Sequence, residues 1–230
     1  MQAAPKPRSS MTLSLFDALD APAPARVPLA EGALLLRGFA TPDAAAEAAL
    51  LEALERVIAV APLRRMSTPN GRRMSVAMSN CGPLGWISDR SGYRYVPLDP
   101  ESGQSWPPLP GPFLDLARRA AAAAGFAGFE PDACLVNRYA SGTRLSLHQD
   151  RDERDFSAPI VSVSLGLPAL FRLGGLRRGE PAARVPLGHG DVVVWGGPAR
   201  LRFHGVLPLK PGGHPRLGER RFNLTFRRAG

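Results

Sequence analysis

The sequence predicts an α+β protein, with a double-stranded β-helix (a jelly roll) as its C-terminal core and helices flanking it on the N-terminal side. Three observations carry this expectation. From about Asp132 onward, short apolar runs alternate with Gly, Pro and Asp turns, the pattern of many short strands folded into two facing sheets. Two stretches before residue 126 carry the start and stop signals of helices. A chain of 230 residues, 44% of them hydrophobic, is enough for one domain with a sizeable core.

Residues 1 to about 30, rich in Pro and Ala with scattered charge, read as a flexible N-terminal arm. A single domain then occupies 31–230. Ala33 to Phe39 reads as its first strand, with Leu34, Leu35 and Leu36 in a row. Thr41-Pro42-Asp43 opens a helix, Thr41 capping it and Pro42 standing in its first turn. That helix runs to about Val60, with Leu50, Leu51, Leu54, Val57 and Ile58 as its buried stripe. Residues 62–107 change character: Gly, Pro, Ser, Arg, Met and aromatics dominate with weak periodicity, as in a long surface excursion. Gly111-Pro112 to Ala124 forms a second helix, stopped by Gly125. The core, about 132–230, has expected strands at Ala133–Tyr139, Arg144–His148, Ile160–Leu167, Ala169–Leu173, Asp191–Trp195, Arg200–Phe203 and Phe222–Arg227.

Composition narrows the function classes. No apolar run reaches the roughly 18 residues of a membrane span, and no secretory signal opens the chain. Cys81 and Cys134 have neither metal-type spacing nor a disulfide framework, which fits a reducing cytoplasm. Net charge is +9, almost all of the basic charge being arginine. Such a surface favours phosphate backbones through counterion release, although an arginine-rich composition alone would produce the same number.

The chemistry centres on Leu145-Ser-Leu-His148-Gln-Asp150, answered by His204. On a strand, His148 and Asp150 project from the same side. With His204 from a neighbouring strand they would offer a metal two imidazoles and a carboxylate on one face, leaving the other open, as in non-haem Fe(II) oxygenases. Zinc takes the same donors and stays open as the rival metal. A Ser146-His148-Asp150 hydrolase triad fails on geometry, because alternate residues of one strand merely point the same way. His189, in a Gly-His-Gly turn, reads as structural, and His214, in a Gly-Gly-His-Pro loop, as exposed. The last strand alternates strictly: Arg221, Asn223, Thr225 and Arg227 share one face, and Phe222, Leu224 and Phe226 share the other. If the polar face points inward, its two arginines need anionic partners, and a small dicarboxylate that also chelates the metal would serve. If it points outward, it is a solvated edge.

Five segments together resemble the AlkB family of Fe(II)- and 2-oxoglutarate-dependent dioxygenases, which repair alkylated nucleic-acid bases directly. They are Pro131–Tyr139, Leu145–Glu153, Ala158–Gly166, Gly190–Gly197 and Arg221–Arg227, and the likeness extends over roughly residues 30–229. The resemblance implies that His148, Asp150 and His204 are iron ligands. It implies that Asn137, Tyr139, Arg221, Asn223 and Arg227 hold the cosubstrate 2-oxoglutarate, with dioxygen as the second cosubstrate. Residues 62–107 become a nucleotide-recognition lid. Trp86 is then the aromatic that sandwiches an extruded base against His148, and Asp152 the carboxylate near its exocyclic amino group. Met78, Tyr93, Ser162, Arg178 and Trp195 match further positions around the base, its phosphates or the cosubstrate. Taken alone, Trp86 and Tyr93 read as lid-core aromatics, Trp195 as core, and Asp152-Glu153 as a solvated turn. One position departs from the family pattern. Where its members often carry an aromatic residue early in the lid, the turn Thr68-Pro-Asn-Gly-Arg72-Arg73 carries arginine.

The function so implied is oxidative demethylation of N-alkylated bases such as 1-methyladenine and 3-methylcytosine in DNA or RNA, by a monomer acting on nucleic acid. The alternatives are an oxygenase of the same type acting on proteins or small molecules, and a nucleic-acid-binding protein with a structural metal.

Overall fold

The computed structural model describes residues 25–230. Thirteen strands and two α-helices follow in the order β1 (Arg26–Ala30), β2 (Ala33–Leu36), α1 (Ala44–Val60), β3 (Ala77–Cys81), β4 (Gly85–Asp89), β5 (Gly92–Val96), α2 (Gly111–Ala123), β6 (Ala133–Tyr139), β7 (Leu145–His148), β8 (Ile160–Gly166), β9 (Ala169–Leu173), β10 (Ala183–Leu187), β11 (Val192–Trp195), β12 (His204–Val206) and β13 (Arg221–Arg227). A seven-stranded sheet, β1-β2-β11-β8-β13-β6-β3, faces a four-stranded sheet, β10-β9-β12-β7, and all their pairings are antiparallel. This is the jelly roll expected from the strand spacing. The hairpin β4–β5 stands apart from both sheets. No helix among the described residues is long and apolar enough to cross a membrane.

Strand alternation builds two cores. Phe222, Leu224 and Phe226 of β13, with Val161 and Val163 of β8 and Val192 and Val194 of β11, face the helices, where Leu50, Leu54, Phe113 and Leu116 meet them. The other side of the same strands looks into the roll, where Val193, Trp195 and Ile160 pack with Phe171, Leu173 and Val206 of the smaller sheet. β13 is buried at every residue, so its polar side faces the interior and not solvent. That settles the orientation which the sequence pattern leaves open.

Several elements differ from expectation, each for a local reason. β1 lies within the stretch read as an arm. It is an edge strand, where Pro28 is tolerated because the ladder asks for fewer donors there; the rest of the arm, to residue 24, lies outside the described residues. The first strand of the domain proper stops at Leu36 and not at Phe39. The cap of α1 is Asp43, not Thr41: its side chain accepts the Ala46 N–H at 2.8 Å. β3, within the presumed lid, is the edge strand of the large sheet, its alternation hidden because all five residues are buried. β10 escapes the sequence pattern because Arg184 and Pro186 alternate with its inward-facing Val185 and Leu187 on another edge. Arg200–Phe203 is not a strand. The chain makes a short 3-10 turn at Gly197–Ala199, and His204 begins β12.

A polar clamp ties α1 to the ends of the roll. His189 accepts the Gly166 N–H on Nδ1 at 2.9 Å, so its ring proton sits on Nε2, which faces Glu47 Oε1 at 3.4 Å. His214 is half-buried, not exposed, and stacks on His189 with centroids 4.4 Å apart. Arg216 reaches Glu47 Oε2 at 3.5 Å. Burial and then the neighbouring His214 lower the pKa of His189, Arg216 adds to this, and Glu47 and Asp191 oppose it. The unfolded chain therefore binds a proton at His189 more readily than the folded one. Stability from this group is complete above the free-histidine pKa of about 6.5 and is lost as pH falls below it. We expect the denaturant midpoint to fall between pH 7 and pH 5, and to fall less in His189→Asn, which keeps an acceptor for Gly166. An equal pH dependence in the two proteins would contradict this role.

Candidate metal centre and the cavity around it

His148 ends β7, His204 begins β12, and the antiparallel register sets them directly opposite each other. Their ring centroids are 4.4 Å apart. The chain has left the sheet by Asp150, whose carboxylate turns back between them: Oδ1 is 3.5 Å from His148 Nε2 and Oδ2 is 3.7 Å from His204 Nε2. One donor atom from each residue falls in a group within 4.8 Å.

Backbone carbonyls fix both tautomers. His148 Nδ1 lies 2.8 Å from Ser146 O and His204 Nδ1 lies 3.1 Å from Arg202 O. A carbonyl only accepts, so both Nδ1 atoms donate and both Nε2 lone pairs face the carboxylate, as metal-binding imidazoles are held. Burial and then the nearby His148 bring the His204 pKa down to about 4, keeping it neutral as a ligand must be. Burial alone would raise the Asp150 pKa, but the charge of Arg227 beside it holds it well below the usual carboxylate range. The donor chemistry fits a divalent cation bound on one face with the other face open, the set used by Fe(II) oxygenases.

Glu47, His189 and His214 also cluster their donor atoms within 4.8 Å. They do not fit a metal. The backbone N–H of Gly166 already uses the Nδ1 lone pair of His189, which leaves Nε2 protonated, the reverse of the arrangement at His148 and His204.

The inward side of β13 surrounds the triad. Arg227 Nη2 and Nε donate to Asp150 Oδ2 at 2.6 and 3.0 Å, and Nε is 3.2 Å from Glu153 Oε1. Glu153 also accepts from Arg200 Nη2 at 3.0 Å and from the Tyr95 hydroxyl at 2.8 Å. Its side chain is 2% exposed, so the solvated-turn reading fails for Glu153, whereas Asp152 beside it is exposed. Sequence reasoning also missed Tyr95 and Arg200; nothing local to either marks it as a partner of that carboxylate.

Arg221 is different. It lies over the Tyr139 ring at 4.9 Å and donates through Nη2 to Ser164 at 2.9 Å, but its buried Nε and Nη1 have no partner among the described residues. Asn137 Oδ1 is likewise unpartnered. Asn223 donates to Ser162 Oγ at 2.8 Å and Val163 O at 2.9 Å, and accepts from Thr225 at 2.9 Å. A buried guanidinium with two idle nitrogens calls for an anion, and a carboxylate can meet both.

Arg221, Asn137, Tyr139, Asn223 and the triad line one cavity of about 880 Å³. This lies toward the top of the roughly 300–1,000 Å³ range of small-molecule sites. Trp195 is 2% exposed, lies 4.8 Å from His204 by centroid and reaches the same cavity, so it is both core and lining. Met78 and Ser162 line the cavity too. At the mouth Trp86 of β4 donates to Asp152 Oδ2 at 2.7 Å and stacks on Tyr93 of β5, with centroids 5.7 Å apart and planes 11° apart. Arg178 sits on the rim over the Phe203 ring at 5.1 Å. The residues that the resemblance assigned to metal, cosubstrate or base thus all line this one cavity.

Comparison with known proteins agrees with this geometry. The family model of the 2OG-Fe(II) oxygenase superfamily matches residues 32–227. The α-ketoglutarate-dependent dioxygenase AlkB of Salmonella typhimurium is 57% identical over 207 residues, covering 90% of this chain and 94% of that protein. The mouse nucleic acid dioxygenase ALKBH1 is 38% identical over 133 residues, covering 57% of this chain and 33% of that one. Among solved structures, OsALKBH1 superposes with a TM-score of 0.75 at 30% identity, covering 88% of this chain and 99% of its own. Fe(II), 2-oxoglutarate (α-ketoglutarate) and dioxygen are the cofactor and cosubstrates of such enzymes, and the chain belongs to the 2OG-Fe(II) oxygenase superfamily and, within it, to the AlkB dioxygenases.

Proposed function

We propose that this protein reverses N-alkylation of nucleic-acid bases, 1-methyladenine and 3-methylcytosine among them, by oxidative demethylation. The observation that carries the reading is the pair Trp86–Asp152 at the mouth of a cavity whose floor holds His148, Asp150 and His204. A base methylated at these nitrogens is planar and positively charged. Trp86 offers it a π-face and Asp152 a negative charge. Because such a base pairs poorly, extruding it from a duplex costs less than extruding a normal one. The basic composition and the substrates named for related dioxygenases support the same partner, nucleic acid.

Fe(II) held by His148, Asp150 and His204 would supply the oxidation: one atom of dioxygen enters succinate as 2-oxoglutarate loses carbon dioxide, and the other hydroxylates the N-methyl group, which leaves as formaldehyde. The chain's own residues bind and orient. Arg221 takes a carboxylate of 2-oxoglutarate, with Tyr139, Asn137 and Asn223 beside it. Arg227, resembling a second carboxylate binder, is engaged with Asp150 and Glu153 and acts chiefly by keeping Asp150 ionised and in place. Trp86 and Asp152 position the base, while Met78, Tyr93 and Arg178 line its approach. The jelly-roll core and the β4–β5 hairpin work as one catalytic unit, acting as a monomer in the cytoplasm, where the buried Cys81 and Cys134 stay reduced.

With Fe(II), 2-oxoglutarate and air, the purified protein is expected to release formaldehyde from single strands carrying 1-methyladenine or 3-methylcytosine. Absence of formaldehyde from both would overturn the substrate assignment. Arg221→Gln removes a charge-assisted carboxylate contact and should raise the KM for 2-oxoglutarate about 10- to 100-fold. An unchanged KM would remove Arg221 from the cosubstrate site.

A further inference from the structure

The ladder between β7 and β12 ends at the two histidines of the metal centre, His148 opposite His204. On its other side the chain leading into β12 stays paired: the Phe203 N–H donates to Gly175 O at 2.9 Å, and the Gly174 N–H to Phe203 O at 2.7 Å. Toward β7 the ladder goes no further, and side chains take its place. Gln149 Nε2 donates to Leu201 O and, at 3.3 Å, to Leu176 O. Arg200 Nη1 donates in the opposite sense, to Asp150 O at 3.0 Å. These bonds cross between the segment that follows His148 and the segment that precedes His204.

Arg200 does more than make one bond. It is 3% exposed, and each of its three nitrogens meets a different point of the loop from β7 to β8. Besides Asp150 O these are Ala158 O, 3.1 Å from Nε, and Glu153 Oε2, 3.0 Å from Nη2. Its guanidinium also lies over the Phe156 ring at 5.2 Å. The rigid fork of an arginine thus sets the path of the loop that carries Asp150. Arg227 orients the Asp150 carboxylate, whereas Arg200 holds its main chain. Metal–ligand distances tolerate only about 0.2 Å of error, so the place of that main chain matters to a cation.

We propose that Gln149 and Arg200 are positioning residues for the metal, a reciprocal latch across the open end of the β7–β12 ladder that fixes Asp150 relative to His204. The proposal rests on the assignment of the metal to His148, Asp150 and His204. It gives the amide between the first two ligands a reason: both partners of Gln149 are carbonyls, so the position requires a donor, and a carboxylate there would be repelled. Through Leu176 O the same amide joins the loop carrying Arg178 to the latch.

The test titrates Co(II) into the full-length, chelator-treated protein and into Gln149→Met and Gln149→Glu, two variants of similar length that lose the donor. The visible bands of Co(II) report occupancy and ligand geometry together. Both variants should bind Co(II) about tenfold more weakly, as when a group supporting a metal ligand is lost, with the bands shifted at saturation. Arg200→Lys, which keeps a charge for Glu153 but cannot reach three points at once, should do the same; if it fails to fold, the Gln149 variants decide alone. Unchanged affinity in those variants overturns the latch, and so does weaker binding with unaltered bands, which would mean that the ligands keep their places. His148→Ala is the control for the site. If it binds Co(II) as tightly as the wild type, the metal-centre assignment fails and the latch with it; if it loses binding while the Gln149 variants keep theirs, the latch alone falls.

Discussion

A carboxylate taken out of water between two sheets costs several kcal/mol unless positive charge and hydrogen bonds meet it there. Asp150 is such a carboxylate, and the arrangement of the roll's interior follows from satisfying it. Arg227 reaches it because β13 lies in the middle of the large sheet, between β8 and β6, with its polar side turned inward. Arg227 needs further partners, and Glu153 provides one while drawing in Arg200 and Tyr95. Through Tyr95 the network extends to the β4–β5 hairpin, so the element carrying Trp86 and Tyr93 is tied to the residue that anchors the metal site. The two imidazoles, turned by backbone carbonyls toward the same carboxylate, complete a site for a cation with one open side.

How far this was legible in the sequence depended on what each pattern can encode. Period-two alternation in β13 says which residues share a face, and so grouped Arg221, Asn223, Thr225 and Arg227 correctly; it does not say which face is buried. That answer lies in the packing of Phe222, Leu224 and Phe226 against the helices. His148 and Asp150 were readable as a pair because only Gln149 separates them, whereas their pairing with His204 is a matter of register between β7 and β12. Edge strands were the hardest elements: Pro28 in β1 and Pro186 in β10 look like breaks, and their place at the sheet edges among the described residues makes them acceptable. Glu153 could not be told from Asp152 locally, since their different burial is decided by Arg200, Arg227 and Tyr95, all distant in sequence.

The excess of arginine is informative only once its members are separated. Arg200, Arg221 and Arg227 are interior groups that organise the site. Arg64, Arg94 and Arg118 face acids and add little outward field. Arg72, Arg73, Arg144, Arg151 and Arg178 stand around the mouth of the cavity, where they can meet phosphates while the base enters between them. The net charge of +9 therefore bears on partner choice through its distribution around this opening.

The central claim is that one face of the site holds Fe(II) through His148, Asp150 and His204 while the open face, with Arg221 behind it, receives a chelating keto acid. An anaerobic titration of the Fe(II)-loaded protein with 2-oxoglutarate tests this most directly. The account predicts a visible metal-to-ligand charge-transfer band that grows with 2-oxoglutarate and saturates at one equivalent per chain. Absence of any band, or a band that succinate produces equally well, would contradict it.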